Sequence, residues 1–167
     1  MSMLSIRPAT AADIPAITRI YGHAVRHGTA SFELETPDEA EMMRRMRALR
    51  DAGYPYLVAE TDAVAGYAYA TQFRDRAAYQ FTAEDSIYVH PDWMGRGIGR
   101  ALLDTLMQRS SAQGFRTIIA VIGGAEPASI ALHSKCGFRE AGRLEKVGFK
   151  FGRWLDSLYM QRELSGV

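Results

Sequence analysis

Apolar and polar positions along the chain repeat in two periods, and the change from one to the other outlines its elements. In LSIRPA (4–9), Leu4, Ile6 and Pro8 fall on one side and predict a short strand. Thr10 can cap a following helix, with Asp13 placed to complete a variant of the reciprocal capping pair and to complement the helix dipole. Ile14, Ile17 and Tyr21 then recur at helical spacing. A second start signal lies in TPDE (36–39), where Thr36 is the expected cap, Pro37 takes the first helical position and Glu39 can reach back to the cap amide. Met42, Met46 and Leu49 carry that helix to a stop at Gly53.

From Tyr56 the period falls to two. YLVAE (56–60) and AVAGYAYATQF (63–73) flank the polar pair Thr61 and Asp62, which predicts an antiparallel hairpin. SIYVHP (86–91) is a further strand, stopped by Pro91. WMGRGIGRALL (93–103) then sets three glycines at alternate positions ahead of a helix with Ile98, Leu102 and Leu106 on one stripe and Gly114 as its stop. RTIIAVIGG (116–124) is apolar almost throughout, as a strand covered on both faces should be. A short helix over 127–138, opened by Pro127 and closed by Gly137, and two β-leaning segments at 138–149 and 153–164 complete the chain. The order β-α-α-β-β-β-α-β-α-β-β predicts a mixed α/β sheet. With no repeat, low-complexity tract or dividing linker, residues 1–167 are expected to form one domain.

Composition narrows the classes of partner. A chain of 167 residues with 47% hydrophobic and 23% charged residues can bury a core without disulfides or metals. Its net charge of +1 gives no overall attraction to nucleic acid or an anionic membrane, so an anion site would have to be local. Cys136 is the lone cysteine, which excludes an internal disulfide. No basic-then-apolar leader and no run of membrane-spanning length is visible, so a cytoplasmic protein is expected.

The glycine loop is the strongest candidate for a local anion site. A strand ending at Val89, a bend at Pro91 and a turn of Gly95, Gly97 and Gly99 would gather free amides at the positive end of a helix, with Arg96 and Arg100 adding charge. Glycine permits positive φ and close approach of a ligand to the backbone. The loop lacks the Gly-Lys-Ser/Thr ending of a Walker motif, and its G-x-G-x-G spacing fits the dinucleotide fingerprint poorly. A tight turn with no ligand is the other reading.

The neighbouring residues extend the pattern. SIYVHPDWMGRGIGRALLDTLMQRSSAQGF resembles the acetyl-CoA-binding core of the GCN5-related N-acetyltransferase (GNAT) superfamily. FRDRAAYQFTAEDSIYV, AQGFRTIIAVIG, ASIALHSKCGF and VGFKFGRWLD are similar to segments of its phosphinothricin and methionine sulfoximine N-acetyltransferase subfamily. The resemblance implies a GNAT fold, with a central mixed, mostly antiparallel sheet flanked by helices. It also implies acetyl transfer from acetyl-CoA to the α-amine of a small amino-acid-like substrate, without a metal, by a homodimer. The cofactor diphosphate would rest on Gly95, Arg96, Gly97, Ile98, Gly99 and Arg100, with Ile87, Tyr88 and Val89 along the acetyl end. Two positions depart from the family: Met94 stands where Gln or Arg is usual, and Glu126 where an Asn commonly contacts the pantetheine arm.

The same resemblance proposes roles for single residues. An α-amine is mostly protonated near neutral pH, so a base must free it, and Glu84, just ahead of the expected strand, matches the subfamily's glutamate. Departure of CoA as a thiolate calls for a proton donor, a place matched by His133, with a second base or a structural histidine as alternatives. Arg74 and Arg76 would grip the acceptor's anionic group, and Phe32 and Tyr79 match aromatic positions of its pocket. Each also has a plainer reading as surface charge or packing. His23 and His27 lack a third ligand for zinc, and Cys136 reads as core. Acetylation of a protein N-terminus or a polyamine, and a non-catalytic CoA-binding sensor, are the rival functions.

Overall fold

The computed structural model describes residues 2–165. Its strands are β1 (Ser5–Pro8), β2 (Tyr56–Glu60), β3 (Val64–Gln72), β4 (Thr82–Val89), β5 (Thr117–Gly123), β6 (Arg139–Lys150) and β7 (Arg153–Glu163). The helices are α1 (Ile14–His27), α2 (Glu39–Asp51), α3 (Ile98–Ala112) and α4 (Pro127–Lys135). The order along the chain is the one expected from the sequence. One seven-stranded sheet runs β1-β2-β3-β4-β5-β7-β6, antiparallel everywhere except between β4 and β5.

Local chemistry explains where the elements begin. Asp13 accepts the Thr10 amide at 2.7 Å and takes both arms of the Arg7 guanidinium at 2.8 Å, joining β1 to α1. Burial pushes the Asp13 carboxyl up, but Arg7 and the Thr10 amide outweigh it and hold it below the ordinary carboxylate value. Two expected boundaries shift. Asp38, not Thr36, caps α2, accepting the Glu41 amide at 2.8 Å, so the helix opens at Glu39. An acid one residue from the first turn both reaches an orphan amide and complements the dipole. The strand expected to begin at Ser86 begins at Thr82 instead, because it pairs with β3 on one side and β5 on the other; Glu84 is therefore inside β4 rather than ahead of it.

The two faces of the sheet carry separate cores. On one, Leu102, Leu103 and Leu106 of α3 bury against Leu57, Ala68 and Ile118. On the other, Ile14, Ile17 and Ile20 of α1 and Met42 and Met46 of α2 cover Val58 and a stack of tyrosines. Tyr56 lies 5.1 Å from Tyr69, Tyr67 lies 5.3 Å from Tyr88, and Tyr21 meets Tyr88 edge-on at 5.1 Å. Side chains alternate across a strand. Thus Ala83, Ile87 and Val89 of β4 join the α3 side while Tyr88 joins the α1 side.

The feature that creates a site is a parting of strands. β4 and β5 pair only from Thr82 with Thr117 to Asp85 with Ala120. Beyond that point β4 stays with β3 and β5 with β7, leaving facing backbone edges without a sheet partner. Unpaired edges are ready to bond an extended ligand.

Candidate active site

A cavity of about 290 Å³ opens at this parting. Glu84, Ser86 and Tyr88 of β4, Val121 of β5, Phe32 of the α1–α2 loop, and Ser129 and His133 of α4 are among its lining residues. Glu84 is half-buried. Loss of water raises its carboxyl above the ordinary value, Arg74 opposes this, and the neighbouring charge of Asp85 adds to it. Alternation places Glu84 on the tyrosine face and Asp85 on the α4 face.

Asp85 and His133 form a buried pair, each side chain only 4% exposed, with His133 Nε2 at 3.0 and 3.2 Å from the carboxylate oxygens. Nδ1 of the same ring lies 2.7 Å from the Ser129 carbonyl, so both nitrogens face acceptors. Burial pulls the imidazole pKa down, but Asp85's charge, its hydrogen bond and the Ser129 carbonyl together hold it above the ordinary value. These surroundings favour the charged form of the ring, with an acceptor facing each nitrogen. Sequence patterns single out His133 but not Asp85, because a contact across 48 residues leaves no local signature.

The glycine loop divides its work. Gly95 and Gly97 take φ values of +72° and +81°, and a Cβ on either would meet nothing within 4 Å. These two are glycines for conformation. Gly97 caps α3 without any side-chain bond, so the amides of the first turn, including Ile98, Gly99 and Arg100, face outward unclaimed by a capping side chain. Gly99 serves packing, since a Cβ there would stand 3.2 Å from Leu132 and 3.6 Å from Val89. Arg96 lies over the Trp93 ring at 4.9 Å, and Arg100 stands 3.7 Å from Asp104. His90 Nδ1 accepts the Asp92 amide and turns the chain into this loop.

Of the two departures, Met94 is 61% exposed on the loop. Glu126 has a task of its own: its carboxylate accepts the Ala128 and Ser129 amides at 3.1 and 2.8 Å and caps α4.

The four expected acceptor residues do not all gather. Phe32 lines the cavity. Arg74 stacks on Phe73 at 4.4 Å and is near enough to act on the charge of Glu84. Arg74, Arg76 and Tyr79 are all exposed on the β3–β4 connection and are not among the lining residues; Gln72 donates to the Arg74 and Arg76 carbonyls there. Tyr79 packs edge-on against Phe73 at 5.7 Å. Cys136 is buried, as its setting before Gly137 suggests. Among the described residues no group of three or more His, Cys, Asp or Glu side chains is placed to hold a metal, and no helix is long and apolar enough to cross a membrane.

Comparison with known proteins agrees with this layout. The family model described as an acetyltransferase (GNAT) domain matches residues 6–159. The phosphinothricin N-acetyltransferase of Alcaligenes faecalis is 55% identical over 155 residues, spanning 92% of this chain and 79% of that protein. The L-methionine sulfoximine/L-methionine sulfone acetyltransferase of Salmonella typhimurium is 40% identical over 162 residues, 96% of this chain and 95% of its own length. Among solved structures, a GNAT superfamily phosphinothricin acetyltransferase from Sinorhizobium meliloti in complex with AcCoA superposes with a TM-score of 0.94 at 52% identity, covering 98% of this chain and 89% of that one. With its parted parallel strands, glycine-capped α3 and matching family model, the chain belongs to the GNAT acetyltransferase family.

Proposed function

We propose that the chain transfers acetyl from acetyl-CoA to the α-amine of a small amino-acid-like acceptor of the phosphinothricin, methionine sulfoximine or methionine sulfone type. The names of its close relatives support the acceptor class. The observation that carries the reading is Glu84: a carboxyl with a raised pKa on the wall of a cavity at the end of the β4–β5 parting. A base whose pKa is raised toward the working pH is better matched to taking a proton from an ammonium group.

The residues present fit the cofactor. The unclaimed amides at Ile98, Gly99 and Arg100, on a turn that Gly95 and Gly97 keep clear of side chains, would hold its diphosphate, with Arg96 and Arg100 lending charge. The free edge of β4 at Ile87, Tyr88 and Val89 would bond its extended arm. Acetyl-CoA, when bound, supplies an acetyl group already activated as a thioester. Glu84 accepts the proton of the acceptor's ammonium, and Arg74 offers its guanidinium to the acceptor's acidic group. His133 stands on the α4 face with both ring nitrogens against acceptors that favour its charged form, and giving up a proton would cost a bond to Asp85 or Ser129, so the ring would serve first as a fixed positive pole for a leaving thiolate.

Arg76 and Tyr79 belong to the acceptor side in this reading. Leu144, Val147, Phe149, Phe151 and Trp154 of the β6–β7 hairpin are 49 to 62% exposed, which supports a homodimer docked there. Light scattering should give twice 18.5 kDa, and a monomer at micromolar concentration would overturn the dimer. A single 167-residue acetyltransferase domain working in the cytoplasm completes the proposal.

The test is a thiol-release assay with acetyl-CoA across phosphinothricin, methionine sulfoximine, methionine sulfone, polyamines and N-terminal peptides. Saturable turnover of the first three is expected. Preference for a polyamine or peptide would replace the acceptor class, and acetyl-CoA binding with no turnover of any amine would favour a sensor.

A further inference from the structure

The α1–α2 loop roofs the cavity, and three glycines make room for it. A Cβ on Gly123 would stand 2.6 Å from the Thr29 carbonyl oxygen and 2.9 Å from Cε1 of Phe32. One on Gly124 would run into the Thr29 side chain. On Gly148 of β6, the added atom would overlap Cε2 of Phe32 and lie 2.8 Å from its Cζ, and its three nearest neighbours all belong to that ring. Gly148 reaches this place because the β6–β7 register slips between Leu144 and Gly148, and such an irregularity re-aims a strand.

Two residues further along β6, Lys150 is only 4% exposed. Among the described residues its ammonium bonds from Nζ to the Ser31 carbonyl, at 2.7 Å, and lies 5.1 Å from the Phe151 ring centroid. Ser31 is also buried, with its hydroxyl 2.9 Å from the Tyr21 hydroxyl and accepting the Glu33 amide. The loop is therefore fixed on both sides of Phe32. A buried ammonium is costly to retain without strong bonding, and this one is spent on a loop carbonyl.

We propose that Gly148 and Lys150 are positioning residues for the acceptor, Gly148 by seating the Phe32 ring at the cavity wall and Lys150 by pinning the roof loop through Ser31. The inference rests on the acetyltransferase reading above and deepens it. It assigns acceptor fit to the C-terminal hairpin, while the cofactor's loop and strand edge lie elsewhere. The three atoms nearest a Cβ at Gly148 belong to the Phe32 ring rather than to backbone, so Gly148→Ala is expected to be accommodated by a shift of that ring.

The experiment is a double-mutant cycle on the full-length protein, with methionine sulfone as acceptor and acetyl-CoA as donor. Gly148→Ala is expected to raise the acceptor KM about tenfold while kcat and the KM for acetyl-CoA stay within about twofold, the mark of lost acceptor binding alone. In a Phe32→Ala background the same substitution should change the acceptor KM by less than about twofold, because the pair acts as one unit. Lys150→Met, which leaves the seat intact, should raise the acceptor KM in the same selective way and provides an independent variant should Gly148→Ala fold poorly. Equal effects of Gly148→Ala with and without the Phe32 ring, parallel rises in both KM values, or unchanged kinetics in the Lys150 variant would each overturn the inference. A wild-type protein that binds acetyl-CoA but acetylates no amine would instead sink the proposed function, a distinct result.

Discussion

Replacing Asp85 by Asn keeps the shape of the buried pair and removes its charge. At 3.0 Å and an effective dielectric near 20, the attraction between imidazolium and carboxylate is roughly 5.5 kcal/mol. Most of that offsets the desolvation of the two ions, leaving a net contribution of about 2 kcal/mol, the range of hydrogen bonds to charged groups. His133 can discharge at small cost near neutral pH, which prevents the larger loss seen when a buried charge is stranded. For a chain of 167 residues, about 2 kcal/mol corresponds to a Tm lower by about 4–8 °C. The pH dependence gives the sharper check. Because the folded pKa of His133 is raised, stability from the pair is complete below the ordinary histidine value and is lost as pH rises through the folded value. The Tm gap between wild type and Asp85→Asn should therefore be widest below the ordinary histidine value and close as pH rises through the raised folded value. Circular dichroism melts across that range would measure it. A second readout follows from Glu84, whose pKa Asp85 helps to raise: the acidic limb of the rate profile should move to lower pH in the variant. A Tm gap constant with pH, or no gap at all, would refute the charged-pair account.

Other expectations concern separate parts of the molecule. Gly97→Ala forces a side chain into the left-handed region with no other clash, so it should cost about 1–2 kcal/mol of stability and weaken acetyl-CoA binding several-fold by calorimetry. Asp13→Asn should lower stability by about 2 kcal/mol at neutral pH, where the lowered carboxylate is charged on Arg7. The difference should vanish as pH falls through its folded pKa, because that is where the stabilising charge is lost. Trp154→Asp, on the exposed hairpin and 62% exposed, should halve the mass seen in light scattering if the dimer forms there.

Periodicity and punctuation made the order of elements legible, because each helix buries one stripe while the strands run through apolar stretches between two cores. Boundaries were harder where tertiary pairing or competing caps decide. Thr36 and Asp38 both suit a helix start, and only the amide reached by Asp38 separates them. The strand holding Glu84 extends upstream because β5 pairs with it, a partnership more than thirty residues distant. For the site, Gly95 and Gly97 announced a turn by type and spacing, whereas Glu126 capping α4 and the Asp85–His133 bond needed coordinates. Arg74, Arg76 and Tyr79 are close in sequence, and Arg74 and Tyr79 both pack on Phe73, but none of the three is among the residues lining the cavity. The tyrosine stack was hidden for the opposite reason: Tyr21, Tyr56, Tyr67, Tyr69 and Tyr88 come from four elements.

The most direct test of the proton-accepting role is the turnover of Glu84→Gln with methionine sulfone, followed with calorimetric binding of acetyl-CoA. Loss of a general base is expected to lower kcat by about a hundredfold or more while cofactor affinity stays unchanged. Wild-type turnover in Glu84→Gln, with the same acidic limb in its pH profile, would contradict the account.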